Sequence, residues 1–286
     1  MATLPRLNGI IRALESGQPA FSSFVAPDIA SALAASTSSY DGIIFETEHN
    51  HYDVAGLRDA FQYLLNRAQI AALGSLAPGV TPLVRIPPNG GEMNQFLAKQ
   101  VLDIGAYGVV WPHISNAEQA YNAVGACRYP RPDSSPRFEP VGMRGDGPGR
   151  ALAYWGLSRQ QYYARADVWP LAPEGEIFVM LMIEDVEGLN NIDDILGQVD
   201  GIGAVLIGEG DLSQELGHPR EYEHPLVLEA MAHIVAACKR HDVVVGHPHV
   251  GTHNVERVLD EGYRFLMTAP ESVDPALALG RRLAGR

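Results

Sequence analysis

The sequence predicts a single-domain α/β fold, a TIM (β/α)8 barrel. Short runs of β-branched and aromatic residues alternate with longer amphipathic stretches, which is typical of strand–helix units around a parallel sheet. The chain has 286 residues, 46% of them hydrophobic, a size that suits one barrel domain over residues 1–286. Polar residues recur where the apolar runs end, and barrels of this kind carry their active sites at the strands' C-terminal ends.

Eight strands are predicted in chain order. They lie at 20–25, 42–49, 82–87, 108–114, 177–184, 203–208, 243–249 and 264–269. Apolar residues with a 3.6-residue period predict helices over 54–73 and 224–241, and a further helix at 4–16 precedes the first strand.

An inserted segment interrupts this rhythm between the fourth and fifth strands. Residues 128–150 are rich in Pro, Gly and Arg. The segment is too long for an ordinary connection, and its Pro and Gly residues interrupt any helix. An aromatic stretch that is predicted to be helical follows at 151–169. One interpretation is a lid or partner-facing loop whose arginines clamp a carboxylate, with Arg144 as a candidate. A solvated or subunit-contact loop is favoured for most of its arginines, which are Arg128, Arg131, Arg137, Arg144 and Arg150.

Composition argues against several classes of function. With 34 acidic against 21 basic residues the net charge is −13, which disfavours nucleic acid as a partner. No signal-like leader and no run of about 20 apolar residues is present, so a cytoplasmic protein without membrane partners is predicted. The two cysteines, Cys127 and Cys238, have no ligand-like spacing and predict neither a disulfide framework nor a zinc site.

Two carboxylates close successive apolar runs. Glu184 ends one predicted strand and Asp211 comes just after the next, and such oxygen ligands suit a hard divalent cation such as Mg²⁺ or Mn²⁺. Alternatively, Glu184 forms an ion pair, and Asp211 is an ordinary helix N-cap. Gly208 and Gly210 flank Glu209 and leave backbone amides able to bind a carboxylate or enolate oxygen.

Acid/base and cationic candidates lie at the other strand ends. The Glu48–His49 pair ends the second strand and suits general acid/base catalysis. Arg85 ends the third and could hold a carboxylate or stabilise an enolate, or form a salt bridge to Glu48 or Glu184.

Three further histidines lie at the ends of later predicted strands. His113, His247 and His249 could line the substrate pocket or bind metal, and ordinary loop histidines are an equal alternative; His247 and His249 are predicted to share one face of their strand.

Lysine is scarce. A Schiff-base aldolase needs a lysine on a barrel strand, whereas Lys99 and Lys239 both fall in helical patterns. No P-loop or nucleophile-elbow motif occurs, so neither a nucleotide cofactor nor a serine nucleophile is expected.

Several segments together carry a family resemblance over roughly residues 20–270. In order, FETEHN, VRIP, GVVWPHISNAEQA, GMRG, MIEDVEGLNNIDDI and AVLIGEGDLSQELG resemble the HpcH/HpaI aldolases, metal-dependent class II pyruvate aldolases, and are also similar to macrophomate synthase. The resemblance implies a barrel of the phosphoenolpyruvate/pyruvate type. It also implies a hexamer, a trimer of dimers, with an exchanged C-terminal helix.

The same resemblance implies roles for the strand-end residues. Glu184 and Asp211 would bind Mg²⁺, Mn²⁺ or Co²⁺ together with a 2-oxoacid, while Arg85 would stabilise the enolate and His49 would act as acid/base. Amides from Gly208 to Asp211 would hold the substrate carboxylate.

The chain also departs from the family pattern. Glu46 stands where Asp is usual, Asn50 where Gly is usual, and Asp185 where Thr or Ser is frequent; GEG replaces G-P-x, and the insertion is long. These departures bear on the choice of aldehyde, for which His113 is a further candidate determinant.

The predicted activity is reversible cleavage of a 4-hydroxy-2-oxoacid to pyruvate, or a close analogue, and an aldehyde. Oxaloacetate decarboxylation, or a macrophomate synthase-like lyase reaction, through the same enolate is the enzymatic alternative. A barrel that binds 2-oxoacids without catalysis is the alternative from another class.

Overall fold

Ten parallel strand segments build the sheet in the computed structural model, which describes residues 4–87, 95–268 and 275–286. They are β1 Ala20–Ser22, β2 Phe24–Val25, β3 Gly42–Glu46, β4 Thr81–Arg85, β5 Gly108–Trp111, β6 Val168–Trp169, β7 Ile177–Ile183, β8 Ala204–Ile207, β9 Val244–Val250 and β10 Phe265–Thr268. The order β1-β10-β9-β8-β7-β5-β4-β3-β2 runs round a barrel, and β6 pairs with β7 outside that path.

The ring closes at Ser23. This residue separates β1, which pairs with β10, from β2, which pairs with β3, so the two segments form one interrupted strand. The Ser23 hydroxyl donates to the carbonyl of Thr268 at 2.6 Å, and the Ile44 amide donates to the carbonyl of Ser23 at 2.9 Å. Eight strands therefore surround the axis, and the predicted barrel is confirmed. The last residue of the predicted strand 264–269 lies outside the described residues.

Helices cover the outside of the barrel. They are α1 Gly9–Glu15, α2 Ile29–Ala35, α3 Val54–Leu64, α4 Arg67–Leu73, α5 Gln95–Asp103, α6 Ala117–Ala126, α7 Gly149–Trp155, α8 Arg159–Arg165, α9 Val186–Asn190, α10 Ile192–Gln198, α11 Glu209–Glu215, α12 Pro225–Arg240, α13 Val255–Asp260 and α14 Pro275–Leu283. Among the described residues, no helix is long and apolar enough to cross a membrane.

Two predicted helices were wrong in extent because polar side chains start a new helix inside them. The segment 54–73 is α3 and α4, since Leu65 turns to an extended conformation and the Asn66 side chain caps α4 by accepting from the Gln69 amide. The segment 151–169 is likewise divided, because Gly156 takes a φ of +69° at the end of α7 and Ser158 begins α8 with a capping box. The helix predicted at 4–16 starts only at Gly9, capped by Asn8.

The barrel interior is filled by one alternating face of each strand. Ile44, Leu83, Met180, Met182 and Leu206 belong to this inner cluster, which Ile10 and Ile11 of α1 join. Because the side chain of Ile10 lies against Gly42 at the start of β3, α1 closes the N-terminal end of the barrel. The end of the barrel at which the strands finish is therefore open to solvent, and enzymes with this fold carry their active sites at that end.

The inserted segment is packed against the barrel through its arginines. Arg128 is fully buried, with its Nε 2.7 Å from Asp167 and its other nitrogens donating to the carbonyls of Arg137 and Pro140. Arg131 also pairs with Asp167, at 2.5 Å. The favoured interpretation of a solvated loop is therefore wrong for Arg128, which holds the segment in place.

Removing Asp167 should destabilise the fold. Burial alone would raise the pKa of this carboxyl, but hydrogen bonds and charge from Arg128 and Arg131 lower it below its ordinary value. Asp167→Ala leaves the buried guanidinium of Arg128 without a counter-charge, so we expect a loss of about 3–5 kcal/mol in the free energy of unfolding, measured by urea titration. Asp133→Ala, on the exposed part of the segment, is the control. Equal free energies of unfolding for the two variants would contradict this account.

The C-terminal helix α14 packs on its own chain. A side chain at Gly280 would collide with Phe21 of β1, and Arg286 forms a salt bridge with Asp41 at 2.5 Å. Exchange of this helix between subunits, and the hexamer, stay predictions.

Candidate active site at the C-terminal barrel mouth

The alternation of strand residues places three charged side chains over the barrel axis. Ile44 and Leu83 point inward, so Glu46 and Arg85, two residues further on, point the same way at the mouth. Met182 points inward and Glu184 continues its side of β7. The register of β3 against β4 sets Glu46 directly opposite Arg85.

Arg85 is held by two carboxylates. Its Nη2 bonds the carboxylate of Glu46, and its Nη1 lies 2.9 Å from Glu48 Oε2. The ring of Phe24 stacks against the guanidinium, with 4.3 Å from its carbon to the ring centroid. Of the two predicted salt-bridge partners, Glu48 is confirmed.

Glu46 also orders the chain after β3. Its Oε1 accepts from the amides of Glu48 at 2.7 Å and His49 at 3.2 Å. The carboxylate thus supports the backbone of His49 and the guanidinium of Arg85. The pairing of Glu46 with Arg85 was missed from the sequence, although the pairing of β3 with β4 was the signal that could have found it.

Two buried polar atoms at the mouth lack a hydrogen bond within the described residues. Arg85 Nε has no acceptor, and Glu48 Oε2, although close to Arg85 Nη1, is not directed at it as a hydrogen bond. Unsatisfied buried polar atoms are costly, so both atoms are available to a polar ligand that enters the mouth.

His113 joins two of the carboxylates. Its Nε2 lies 3.4 Å from Glu48 Oε1, its Nδ1 lies 3.6 Å from Glu184 Oε1, and its backbone amide donates to that same Glu184 oxygen at 2.6 Å. A φ of +54° at His113 permits this double approach. The hydrogen bond to Glu48 raises the pKa of His113 to about 9, with further support from Glu184 and Asp211.

Glu184 is a buried carboxylate among like charges. Burial raises the pKa of Glu184 to about 7; His113 opposes the rise, and the negative charges of Glu48 and Asp211 add to it. Gly208 packs against it so closely that a Cβ there would lie 2.4 Å from Glu184 Oε2. A glycine is therefore required at this position to leave room for the Glu184 side chain, and it also leaves the backbone open to a ligand.

Asp211 lies one helical turn beyond the strand end. Gly208 is the N-cap of α11, so the predicted alternative of Asp211 as an N-cap is wrong, and its exposed carboxylate belongs to the first turn. It acts electrostatically on both Glu184 and His113. The amides of Glu209, Gly210 and Asp211 begin the helix and have no intrahelical acceptor.

His49 stands at the edge of the group. Its ring is 68% exposed, and Nε2 lies 3.8 Å from Glu48 Oε2. The imidazole is therefore reachable by a molecule that enters the mouth.

The donor set fits a divalent cation. Burial raises the pKa of Glu184, and the negative charges of Glu48 and Asp211 raise it further, so three carboxylates interact electrostatically at the mouth. A cation bound between Glu184 and Asp211 would offset this repulsion with the oxygen ligands that Mg²⁺ and Mn²⁺ prefer.

Three predicted site residues surround a separate cavity. The carboxylate of Glu209 bonds His249 Nδ1, while His247 Nδ1 accepts from the His249 amide at 3.2 Å and packs edge-on against Tyr263. All three line a cavity of about 680 Å³ beside β9, α12 and α13. The Glu209 side chain thus turns to this cavity rather than to Glu184, and only its amide remains at the mouth.

Burial of His247 gives a pH-dependent stability. Desolvation lowers the pKa of His247 to about 4 from an ordinary 6.5, so between these values the unfolded chain binds more protons. The contribution is complete above pH 6.5 and is lost as the pH falls toward 4, by about 3 kcal/mol in total. In urea titrations over pH 4–7 the wild type should lose about 3 kcal/mol more stability than His247→Gln as the pH falls, since all other groups titrate in both proteins. Parallel curves would contradict the assignment.

Arg144 is not at the mouth. Its guanidinium is buried against the ring of Tyr129 and donates to Asp103 at 2.9 Å and to the Tyr162 hydroxyl at 3.0 Å. The interpretation of Arg144 as a carboxylate clamp is therefore wrong. The two lysines lie on α5 and α12, as predicted.

Comparison with known proteins agrees with this geometry. The family model for HpcH/HpaI aldolase/citrate lyase matches residues 21–272. The chain belongs to this family. The chain is similar to a 2-keto-3-deoxy-L-rhamnonate aldolase from Klebsiella pneumoniae, 33% identical over 254 residues that cover 88% of this chain and 83% of that protein. A hydroxypyruvate/pyruvate aldolase from Roseobacter denitrificans is 28% identical over 283 residues, 98% of this chain and 97% of that one.

A solved structure supports the same assignment. A family member from Burkholderia cenocepacia superposes with a TM-score of 0.75 at 26% identity, over 96% of this chain and 97% of that chain. This HpcH/HpaI family chain is accordingly a carbon–carbon lyase.

Proposed function

We propose that this chain is a metal-dependent aldolase that reversibly cleaves a 4-hydroxy-2-oxoacid to pyruvate, or a close analogue, and an aldehyde. The observation that carries the proposal is a chain of contacts at the open end of the barrel: Arg85 pairs with Glu48, His113 bridges Glu48 and Glu184, and Asp211 acts electrostatically on Glu184. Two curated relatives are named as aldolases of 2-oxoacids, which supports the same substrate class.

Glu184 and Asp211 are the residues that would hold the cation. When bound, Mg²⁺ or Mn²⁺ would act as a Lewis acid on the 2-keto group and favour the enolate. The first-turn amides of α11 face the same region and would bind the substrate carboxylate.

Arg85 is placed to stabilise developing negative charge. Glu46, Glu48 and Phe24 fix its guanidinium, so no side-chain reorganisation is needed during reaction. Its buried Nε–H is left without a protein acceptor and can donate to the oxygen of the enolate.

His49 is the proposed base. The hydrogen bond to Glu48 raises the pKa of His113 and favours the protonated ring, so His113 is suited to donate a hydrogen bond to the aldehyde oxygen. The exposed ring of His49 can remove the proton from the C4 hydroxyl. The C3–C4 bond then breaks, the aldehyde leaves, and protonation of C3 gives pyruvate.

The test is pyruvate release from a panel of 4-hydroxy-2-oxoacids and oxaloacetate by metal-stripped protein, with and without added Mg²⁺ or Mn²⁺. Metal-restored cleavage of a hydroxy-oxoacid is the expected result. Turnover of oxaloacetate alone would overturn the aldolase assignment in favour of a decarboxylase, and no turnover despite pyruvate binding would favour a binding protein.

A His49→Ala variant separates the two reactions. Decarboxylation loses CO₂ without removing a hydroxyl proton, so His49→Ala should lower aldol cleavage by about 10²-fold or more while sparing decarboxylation of oxaloacetate. His51→Ala, an exposed histidine two residues away, is the matched control. Equal loss of both reactions would contradict the role of His49 as the base.

A further inference from the structure

A second group of metal-ligand side chains lies at the other end of α11. The connection to α12 reads GHPREYEH, in which His218, Glu221 and His224 recur at intervals of three. One side-chain ligand atom from each lies within 4.8 Å of the other two. None of the three belongs to the barrel-mouth site.

The backbone of this connection fixes the three residues on one side. Gly217 has a φ of +82° and Arg220 of +59°, which fold the chain back on itself. The His218 amide donates to the Ser213 carbonyl at 2.8 Å, the Glu221 amide to His218 at 3.0 Å, and the His224 amide to Glu221 at 2.8 Å. Each candidate ligand is thus tied to the previous one by a main-chain hydrogen bond.

The imidazoles already face each other. The rings of His218 and His224 stack with centroids 3.4 Å apart and planes at 16°, and His218 Nδ1 lies 3.7 Å from Glu221 Oε2. His224 Nδ1 caps α12 by accepting from the Leu226 amide at 3.3 Å, which leaves Nε2 as its outward nitrogen. His218 is half-buried and Glu221 is exposed, so an ion can reach them from solvent.

We propose that His218, Glu221 and His224 form a second divalent-metal site, selective for Zn²⁺ and similar borderline cations over Mg²⁺. Two imidazoles and one carboxylate with an open fourth position is a ligand set that Zn²⁺ accepts. Mg²⁺ prefers oxygen ligands and is not held by such a set. The chain therefore carries two sites of different chemistry, one at each end of α11.

Binding requires one imidazole ring to rotate out of the stack. A metal lies in the plane of each imidazole that binds it, whereas the two ring planes are nearly parallel. Tetrahedral bonds of about 2.1 Å place ligand atoms about 3.4 Å apart, so the atoms must also approach one another. His218 is the ring that turns, because His224 is held by its cap to α12.

The site would stiffen the edge of the 680 Å³ cavity. Tyr222 and Glu223, between two of the ligands, line that cavity, and the Tyr222 ring stacks on His249 with centroids 5.3 Å apart. Zn²⁺ should therefore raise the melting temperature of the protein as well as bind to it.

The experiment is calorimetric titration of tag-free, metal-stripped protein with Zn²⁺, in the wild type, His218→Ala and Glu221→Gln. His218→Ala should lose one Zn²⁺ equivalent per chain and the associated rise in melting temperature, while Mg²⁺ binding is unchanged. His218→Ala keeps the α12 cap, and Glu221→Gln alters one exposed atom, so both should fold. His241→Ala, a histidine on the far end of α12, is the control and should retain the equivalent.

Unchanged Zn²⁺ stoichiometry and affinity in both variants would overturn the proposal. Loss of that equivalent in Glu184→Gln but not in His218→Ala would also overturn it, since the ion would then belong to the barrel mouth. The readout is binding, so it is independent of whether the aldolase proposal holds.

Discussion

Replacing Glu184 with Gln should reduce metal-dependent cleavage by on the order of 10³-fold in kcat/KM. Gln has almost the same shape and keeps the tight packing against Gly208, but it removes the charge that would hold the cation. Lewis-acid stabilisation contributes several kcal/mol, and each 1.36 kcal/mol is a factor of ten. Steady-state cleavage at saturating Mg²⁺, together with calorimetric Mg²⁺ titration, measures the effect.

Glu187→Gln is the matched control for this change. Glu187 lies three residues further along the chain, in the first turn of α9, and is exposed. It should keep wild-type activity and Mg²⁺ affinity. If Glu184→Gln binds Mg²⁺ and cleaves substrate like the wild type, Glu184 is not a ligand of the catalytic metal.

Replacing Arg85 with Lys should lower kcat by about 10²–10³-fold, the usual effect of removing one preorganised donor at a developing oxyanion. Lysine keeps the positive charge but cannot bridge Glu46 and Glu48 while stacking on Phe24 and offering a further N–H. Because the lost interaction strengthens with the enolate, kcat should fall more than KM rises. Kinetics over a full range of substrate concentrations separate the two.

Arg58→Lys, a partly exposed arginine on α3, controls for loss of the guanidinium in general and should be neutral. Thermal melts of both variants exclude unfolding as the cause. Should Arg85→Lys raise KM alone and leave kcat intact, Arg85 would be a substrate-binding residue rather than a stabiliser of the enolate.

The barrel could be predicted because its information is local and periodic. Strand alternation is enough to place Glu46 and Arg85 on the axis once Ile44 and Leu83 are recognised as core residues. The same argument places Glu184 after Met182. Helix boundaries inside 54–73 failed because a single cap, Asn66, outweighed a continuous apolar period.

Other features depend on contacts that no local pattern encodes. Glu209 stands next to the mouth in sequence, yet its side chain is drawn to His249 from another strand. Arg128 was expected to be solvated because arginine is seldom buried, and Arg144 was a candidate carboxylate clamp; only their distant partners Asp167 and Asp103 show that both side chains are buried in the fold. The contacts of His113 with both Glu48 and Glu184 likewise form only when three strand ends meet in the folded barrel.

The most direct test of the central claim is exchange of the methyl protons of pyruvate with D₂O, followed by proton NMR. It requires no knowledge of the aldehyde, because formation of the enolate alone releases the proton. We expect exchange above the uncatalysed rate that requires Mg²⁺ or Mn²⁺, disappears in Glu184→Gln and persists in Glu187→Gln. Exchange that proceeds equally in metal-stripped protein, or that never exceeds the uncatalysed rate with either metal, would contradict a metal-stabilised enolate at this barrel mouth.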